Sequence, residues 1–232
     1  MLESVTKIPN VADLPVPQDD ASVWYGKEMT ARDEWLYELT SDEVVEIEDA
    51  MKPLAEAKTD IAKMTQADFP LPNLSSKLNR MSADILNGRG FTLLRGLPVE
   101  RWSIRESATA YFGIGCHQNG KGHVLGHVRD LGRDAENDPT ARIYQTRERQ
   151  TYHTDSCDIV ALLCLKTAQS GGLSALVSSM TIYKEMHELR PDLLPYLFES
   201  MGTDRRGEIP EGEKPWHEIP VYNWHEGYLS AI

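Results

Sequence analysis

Tyr152-His153-Thr154-Asp155-Ser156-Cys157-Asp158, leading into the apolar run 159–165, is the stretch whose reading decides the fold. On extended backbone, side chains at i and i+2 project to the same side, so His153 and Asp155 can share one ion while Thr154 faces away. One imidazole and one carboxylate with open positions opposite suit a non-haem Fe(II) centre that must also hold a co-substrate and oxygen. Such a centre needs a second His from elsewhere. With 7 His and 36 acidic residues in 232, this spacing is expected about once by chance, and it occurs once. On the tripeptide alone, an ordinary His and Asp in a surface turn is an equal reading.

The surroundings break the tie. From Gly120 to Ser179 the chain reads GKGHVLGHVRDLGRDAENDPTARIYQTRERQTYHTDSCDIVALLCLKTAQSGGLSALVSS. This resembles the Fe(II)/2-oxoglutarate-dependent dioxygenases of the taurine dioxygenase-like (TauD/TfdA) family, in which His-Thr-Asp precedes an apolar strand. Gly90-Phe91-Thr92-Leu93-Leu94-Arg95-Gly96-Leu97 upstream and Gly171-Gly172-Leu173-Ser174 downstream fall in the family's order. The resemblance covers about residues 74–232 and implies a definite set of roles. His153 and Asp155 become the first two iron ligands. Ser174 stands where the family commonly has a Thr that hydrogen-bonds 2-oxoglutarate, and a Ser hydroxyl donates the same bond. Arg147, Arg149 and Tyr152, just before or within the motif, are candidate contacts to substrate or co-substrate, with solvated loop side chains as the plainer alternative. The family's distal His, and the Arg after it that pairs with the co-substrate, lie further on than Ile232. The expectation is therefore an incomplete form of the catalytic domain.

The fold this implies is mixed α/β (α+β), a partial double-stranded β-helix (jelly-roll, cupin-like) with outer helices and a helical N-terminal extension. Residues 1–70 are expected to form an arm and helical extension, and 71–232 the first part of the catalytic domain. The implied activity is oxidation, usually hydroxylation, of a small organic substrate with O2, Fe(II) and 2-oxoglutarate. Two alternatives stay open. One is a non-catalytic shortened relative that acts as a binding or oligomeric module, its apolar strand edges covered by another chain. The other is a different metalloenzyme that completes its site with His117, His123 or His127. His187, His217 and His225 read as surface or hydrogen-bonded histidines, His225 in a hairpin.

Composition narrows the class. At 232 residues with 41% hydrophobic content the chain can bury one sizeable core. A net charge of −12 argues against nucleic acid or an anionic membrane as partner. Cys116, Cys157 and Cys164 form no Cys-x-x-Cys pair and leave an odd thiol, which suits a reducing cytoplasm. The N-terminal MLESVTKIPNVADLPVPQDD has neither the basic start nor the apolar core of a signal peptide, and no stretch approaches a membrane span.

Along the chain, residues 1–20 read as an extended Pro/Asp-rich arm, either packed over a neighbour or mobile. Thr40-Ser41-Asp42-Glu43 has the form of a capping box opening a helix that should end before Pro53. A second helix keeps Leu74, Leu78, Met81, Ile85 and Leu86 in helical register, is capped by Asn73 and stops at Gly88. A short buried strand is expected over 91–94, a helix over 103–112 and a loop over 117–140. Strands over 159–165 and 173–177 should flank a Gly171-Gly172 turn, and a further helical pattern covers 180–197.

Overall fold

Backbone hydrogen bonding explains most of the helix boundaries in the computed structural model, which describes residues 10–118, 125–134, 136–138, 141–155, 157–205 and 209–232, with side chains of 116–118 excepted. His123 and the side chains of Cys116 and His117 thus lie outside the described residues. The described chain is mixed helix and strand, in two units. The first comprises Asp20–Gly126 and Cys157–Ser174; the second comprises Met1–Asp19, His127–Ser156 and Ala175–Ile232.

In the first unit a short helix α1 (Gly26–Met29) and strand β1 (Leu36–Glu38) lead into α2 (Ser41–Glu56). The expected capping box is present: Thr40 Oγ1 accepts the Glu43 N–H at 3.3 Å, and Glu43 Oε2 accepts the Thr40 N–H at 2.9 Å. The helix runs through Pro53 instead of stopping before it. Proline costs a helix one donor and a clash one turn back. Here the penalty falls in the last turn, where Ala55 is buried and Leu54 packs on the core. A complete C-terminal cap follows: Thr59 N–H donates to the Leu54 carbonyl (3.0 Å) and Lys58 N–H to that of Ala55 (3.2 Å), with Lys58 left-handed at φ 52°.

Helix α3 (Ser75–Asn87) buries Leu78 and Met81, with Leu74 buried just ahead of it, while Leu86 is exposed. Its cap is not Asn73. Glu46 of α2 accepts the backbone N–H groups of Asn73 (2.8 Å) and Leu74 (3.2 Å), a tertiary cap invisible to local sequence. β2 (Leu93–Arg95) pairs in parallel with β1, and Leu93 is half exposed, so this strand is less buried than expected. Helix α4 (Ile104–Gln118) extends past 112. Ser103 Oγ accepts the Glu106 N–H, and the Glu106 carboxylate accepts the Ser103 N–H in return. Ile47, Met51, Phe69, Leu71, Leu74, Leu78 and Ala110 make the fully buried heart of this unit.

The run 159–165 departs from expectation. It is irregular, with Leu162 76% exposed, and residues 173–177 are irregular too, with Leu173 95% exposed. A strand is held by a partner's N–H and C=O groups, and among the described residues none is laddered to these segments. The Ala161 carbonyl instead accepts the Tyr111 hydroxyl from α4. The turn between them is as expected, with Gly171 and Gly172 both at positive φ, 71° and 68°.

In the second unit, α5 (Ser179–Leu189) is capped by Ser178 Oγ on the Thr181 N–H (3.0 Å) and ends ahead of Pro191, so the pattern 180–197 splits; α6 (Leu194–Leu197) follows. Two antiparallel pairs complete the unit, β3 (Met201–Asp204) with β4 (Trp216–Ile219), and β5 (Tyr222–His225) with β6 (Tyr228–Ala231). Glu226 and Gly227, both at positive φ, make the two-residue turn that places the exposed His225 in a hairpin, as expected. The core is Leu14, Tyr183, Leu194, Phe198 and Tyr222, with the Tyr183 and Tyr222 rings edge to face at 5.3 Å. The N-terminal arm is part of it. Pro15 accepts the buried Tyr183 hydroxyl at 2.7 Å, and Asp19 pairs with Lys184 at 2.8 Å.

Candidate metal centre

The segment leading to His153 is built from local hydrogen bonds. Arg129 N–H donates to the Tyr144 carbonyl (3.1 Å) and Leu131 N–H to that of Gln145 (2.8 Å), drawing 129–131 alongside 144–145. Arg133 crosses between them, donating to Gln145 Oε1 (2.9 Å) and to the Asp138 carboxylate. Asp134 accepts the Asn137 side chain and the backbone N–H groups of Asn137 and Glu136, which lower its pKa. Gln145 Oε1 accepts from Arg133 and from the Arg142 N–H. Thr146 turns the chain by accepting the Glu148 N–H at 3.1 Å.

Beyond that turn the chain is irregular and exposed through Asp155. His153 Nδ1 lies 2.8 Å from the Thr151 carbonyl. A carbonyl only accepts, so Nδ1 carries a proton, and in this tautomer Nε2 is the atom with the lone pair. The Gln150 side-chain nitrogen lies 3.3 Å from that Nε2. Asp155 has no hydrogen bond or ion pair among the described residues. An acceptor ring nitrogen and a carboxylate two residues on are the donor types a divalent iron takes, with the backbone bond at Nδ1 in the place where metal-bound histidines are usually anchored. The two side chains fit as part of a ligand set. Among the described residues, no group of three His, Cys, Asp or Glu side chains is gathered that holds a metal.

Arg147, Arg149 and Tyr152 are exposed on the same segment, and neither arginine has an ion-pair partner among the described residues. Ser174 is exposed at the end of the first unit's second segment. His127 is exposed. His187 sits on α5 with its ring 6.1 Å from that of Tyr183, and His217 on β4 has a buried Nδ1 with no hydrogen-bond partner among the described residues. Cys157 and Cys164 are free and exposed. Gln150 was not singled out by sequence; its i, i+3 spacing from His153 was the available signal. A cleft of about 630 Å3 opens in the first unit, lined by Thr40, Glu43, Glu46 and Lys77, but Glu43 and Glu46 are already engaged in capping there. Among the described residues no helix is long and apolar enough to cross a membrane.

Comparison with known proteins agrees with the motif. Residues 51–229 match the taurine catabolism dioxygenase TauD, TfdA family, and the chain belongs to that family. It is 31% identical over 224 residues to the FR-33289 synthase of Streptomyces rubellomurinus, covering 94% of this chain and 66% of the synthase. It is 29% identical over 223 residues to the taurine hydroxylase-like protein SAT17 of Stachybotrys chartarum, covering 91% of this chain and 57% of that protein. The chain thus spans less than two thirds of the length of these curated relatives. The two names are those of a synthase and of a hydroxylase-like protein, in a family named for a dioxygenase.

Proposed function

We propose that this chain belongs to a non-haem Fe(II)- and 2-oxoglutarate-dependent dioxygenase that oxidises a small organic molecule with O2, with hydroxylation the outcome that the name of one relative favours. His153 and Asp155 are its first two iron ligands, and Ser174 hydrogen-bonds the co-substrate. Arg147, Arg149 and Tyr152 contact substrate or co-substrate. The catalytic domain occupies residues 71–232 behind the arm and helical extension of 1–70, works in the cytoplasm, and has a double-stranded β-helix as its framework. Two protein donors leave the coordination of iron open, so a further ligand and a cationic group for the co-substrate are needed beside them. The observation that carries this reading is the 2.8 Å contact between His153 Nδ1 and the Thr151 carbonyl, which selects the tautomer whose Nε2 is an acceptor, two residues before the Asp155 carboxylate. Bound there, Fe(II) with 2-oxoglutarate supplies oxidative decarboxylation of the co-substrate coupled to oxidation of the substrate. The chain's own part is to hold Nε2 as an acceptor through Thr151 and to keep the Asp155 carboxylate available.

Anaerobic Fe(II) titration tests the assignment. The 232-residue chain should bind iron loosely, and His153→Ala and Asp155→Ala should each abolish the binding. Undiminished binding in both variants refutes the ligand pair. A strong charge-transfer band with 2-oxoglutarate and stoichiometric succinate from this chain alone refutes the need for outside ligands. The exposed run 159–165 favours one second reading, a binding or oligomeric module whose apolar edge is covered by another chain. Sedimentation separates the two, since that module is an oligomer at micromolar concentration whether or not iron is present.

A further inference from the structure

The bond from Nδ1 to the Thr151 carbonyl settles which way the neighbouring glutamine faces. With the His153 proton on Nδ1, Nε2 only accepts, so the Gln150 group 3.3 Å away must present its N–H. That N–H sits on the lone pair a metal ion would use. From this we propose that Gln150 is a positioning residue that gates the metal site: its amide occupies His153 Nε2 in the metal-free chain and must swing aside for an ion to bind. The inference rests on His153 being a ligand, as argued above. Gln150 is exposed, so its amide is free to exchange this bond for water once displaced. Thr151 and Gln150 then have opposite effects, one selecting the tautomer that presents the Nε2 lone pair and the other capping that lone pair. Breaking one neutral hydrogen bond changes an equilibrium by about two- to ten-fold, and the exposed setting favours the lower end.

The test uses the 232-residue chain with Co(II) as probe, added at fixed ionic strength, and the His153 ring resonances in 15N-edited spectra as readout. The metal-free spectrum should show a neutral ring protonated at Nδ1, with the Nε2 signal moving in Gln150→Ala while the proton stays on Nδ1. Co(II) should bind Gln150→Ala about two- to ten-fold more tightly than the parent chain. Gln150→Glu should also bind more tightly, because a carboxylate cannot cap the lone pair and attracts the cation. His153→Ala serves as the control: if it binds Co(II) as well as the parent, the ligand assignment itself fails. If His153→Ala loses binding while Gln150→Ala binds equally or more weakly, the gate fails and the ligand assignment stands.

Discussion

Helix α4 contains two glycines that should answer the same substitution with opposite signs. A methyl group at Gly113 would run into the Phe69 ring, meeting Cδ1 at 2.6 Å and two further ring carbons more closely still, whereas one at Gly115 meets nothing within 4 Å. Replacing glycine by alanine inside a helix is worth about 0.8–1 kcal/mol of propensity, and that gain is common to both sites. Overpacking costs about 1–3 kcal/mol. Phe69 is fully buried among Leu71, Leu74 and Leu78, so its ring has little room to retreat and the upper part of that range applies. Gly115→Ala should therefore raise stability by up to about 1 kcal/mol, and Gly113→Ala should lower it by about 1–2 kcal/mol. Their difference isolates the clash from the propensity. Urea unfolding followed by far-UV circular dichroism, with slopes compared for all three proteins, measures it. Two variants with midpoints equivalent to within about 0.5 kcal/mol would show that the close approach of helix and ring is not real.

Glu43 supplies a pH test. Burial pushes its carboxyl up, but hydrogen bonds from Lys77, Tyr37 and Thr40 together outweigh this and hold it at about 2, below the ordinary 4.5. A depressed folded-state pKa stabilises above the unfolded value and is lost as pH falls through the folded one. Urea midpoints should decline between pH 4.5 and 2 in the parent by more than in Glu43→Gln, and parallel declines would refute the assignment. Tyr183→Phe removes the buried bond to the Pro15 carbonyl and should cost about 1–3 kcal/mol in thermal or urea unfolding; a neutral result would mean the arm is not docked. Leu162→Lys changes a side chain that is 76% exposed, so it should shift stability by less than about 0.5 kcal/mol and reduce binding of a hydrophobic dye. A loss of several times that size would place Leu162 in a core.

Local signals were the legible ones. Thr40 and Glu43 announce a helix start because both partners of the capping box lie within four residues, and the Glu226-Gly227 turn follows from the same kind of nearness. Asn73 misled because the helix starts one residue later than expected: the Ser75 N–H goes to the Leu71 carbonyl, and Glu46, 27 residues before Asn73, accepts the N–H of Asn73 itself. Pro53 misled because packing of Leu54 and Ala55 outweighs one lost donor. The runs 159–165 and 173–177 have strand composition, yet composition specifies only the willingness to pair and not the presence of a partner. At the candidate centre, His153 and Asp155 were readable as residue types at a metal-like spacing. The tautomer that makes His153 usable was not, since it depends on where a backbone carbonyl points.

The docking of the arm also sets an order of events during synthesis. Pro15 waits for a tyrosine 168 positions later. At about 5–20 residues per second, ribosomal elongation leaves Leu14 and Pro15 unsheltered for roughly 8–34 s, while the helical core spanning Ile47 to Ile114 has already emerged and can close without them. Residues made ahead of the helical core are thus among the last to find their place, which leaves this arm open to chaperones and proteases throughout that interval.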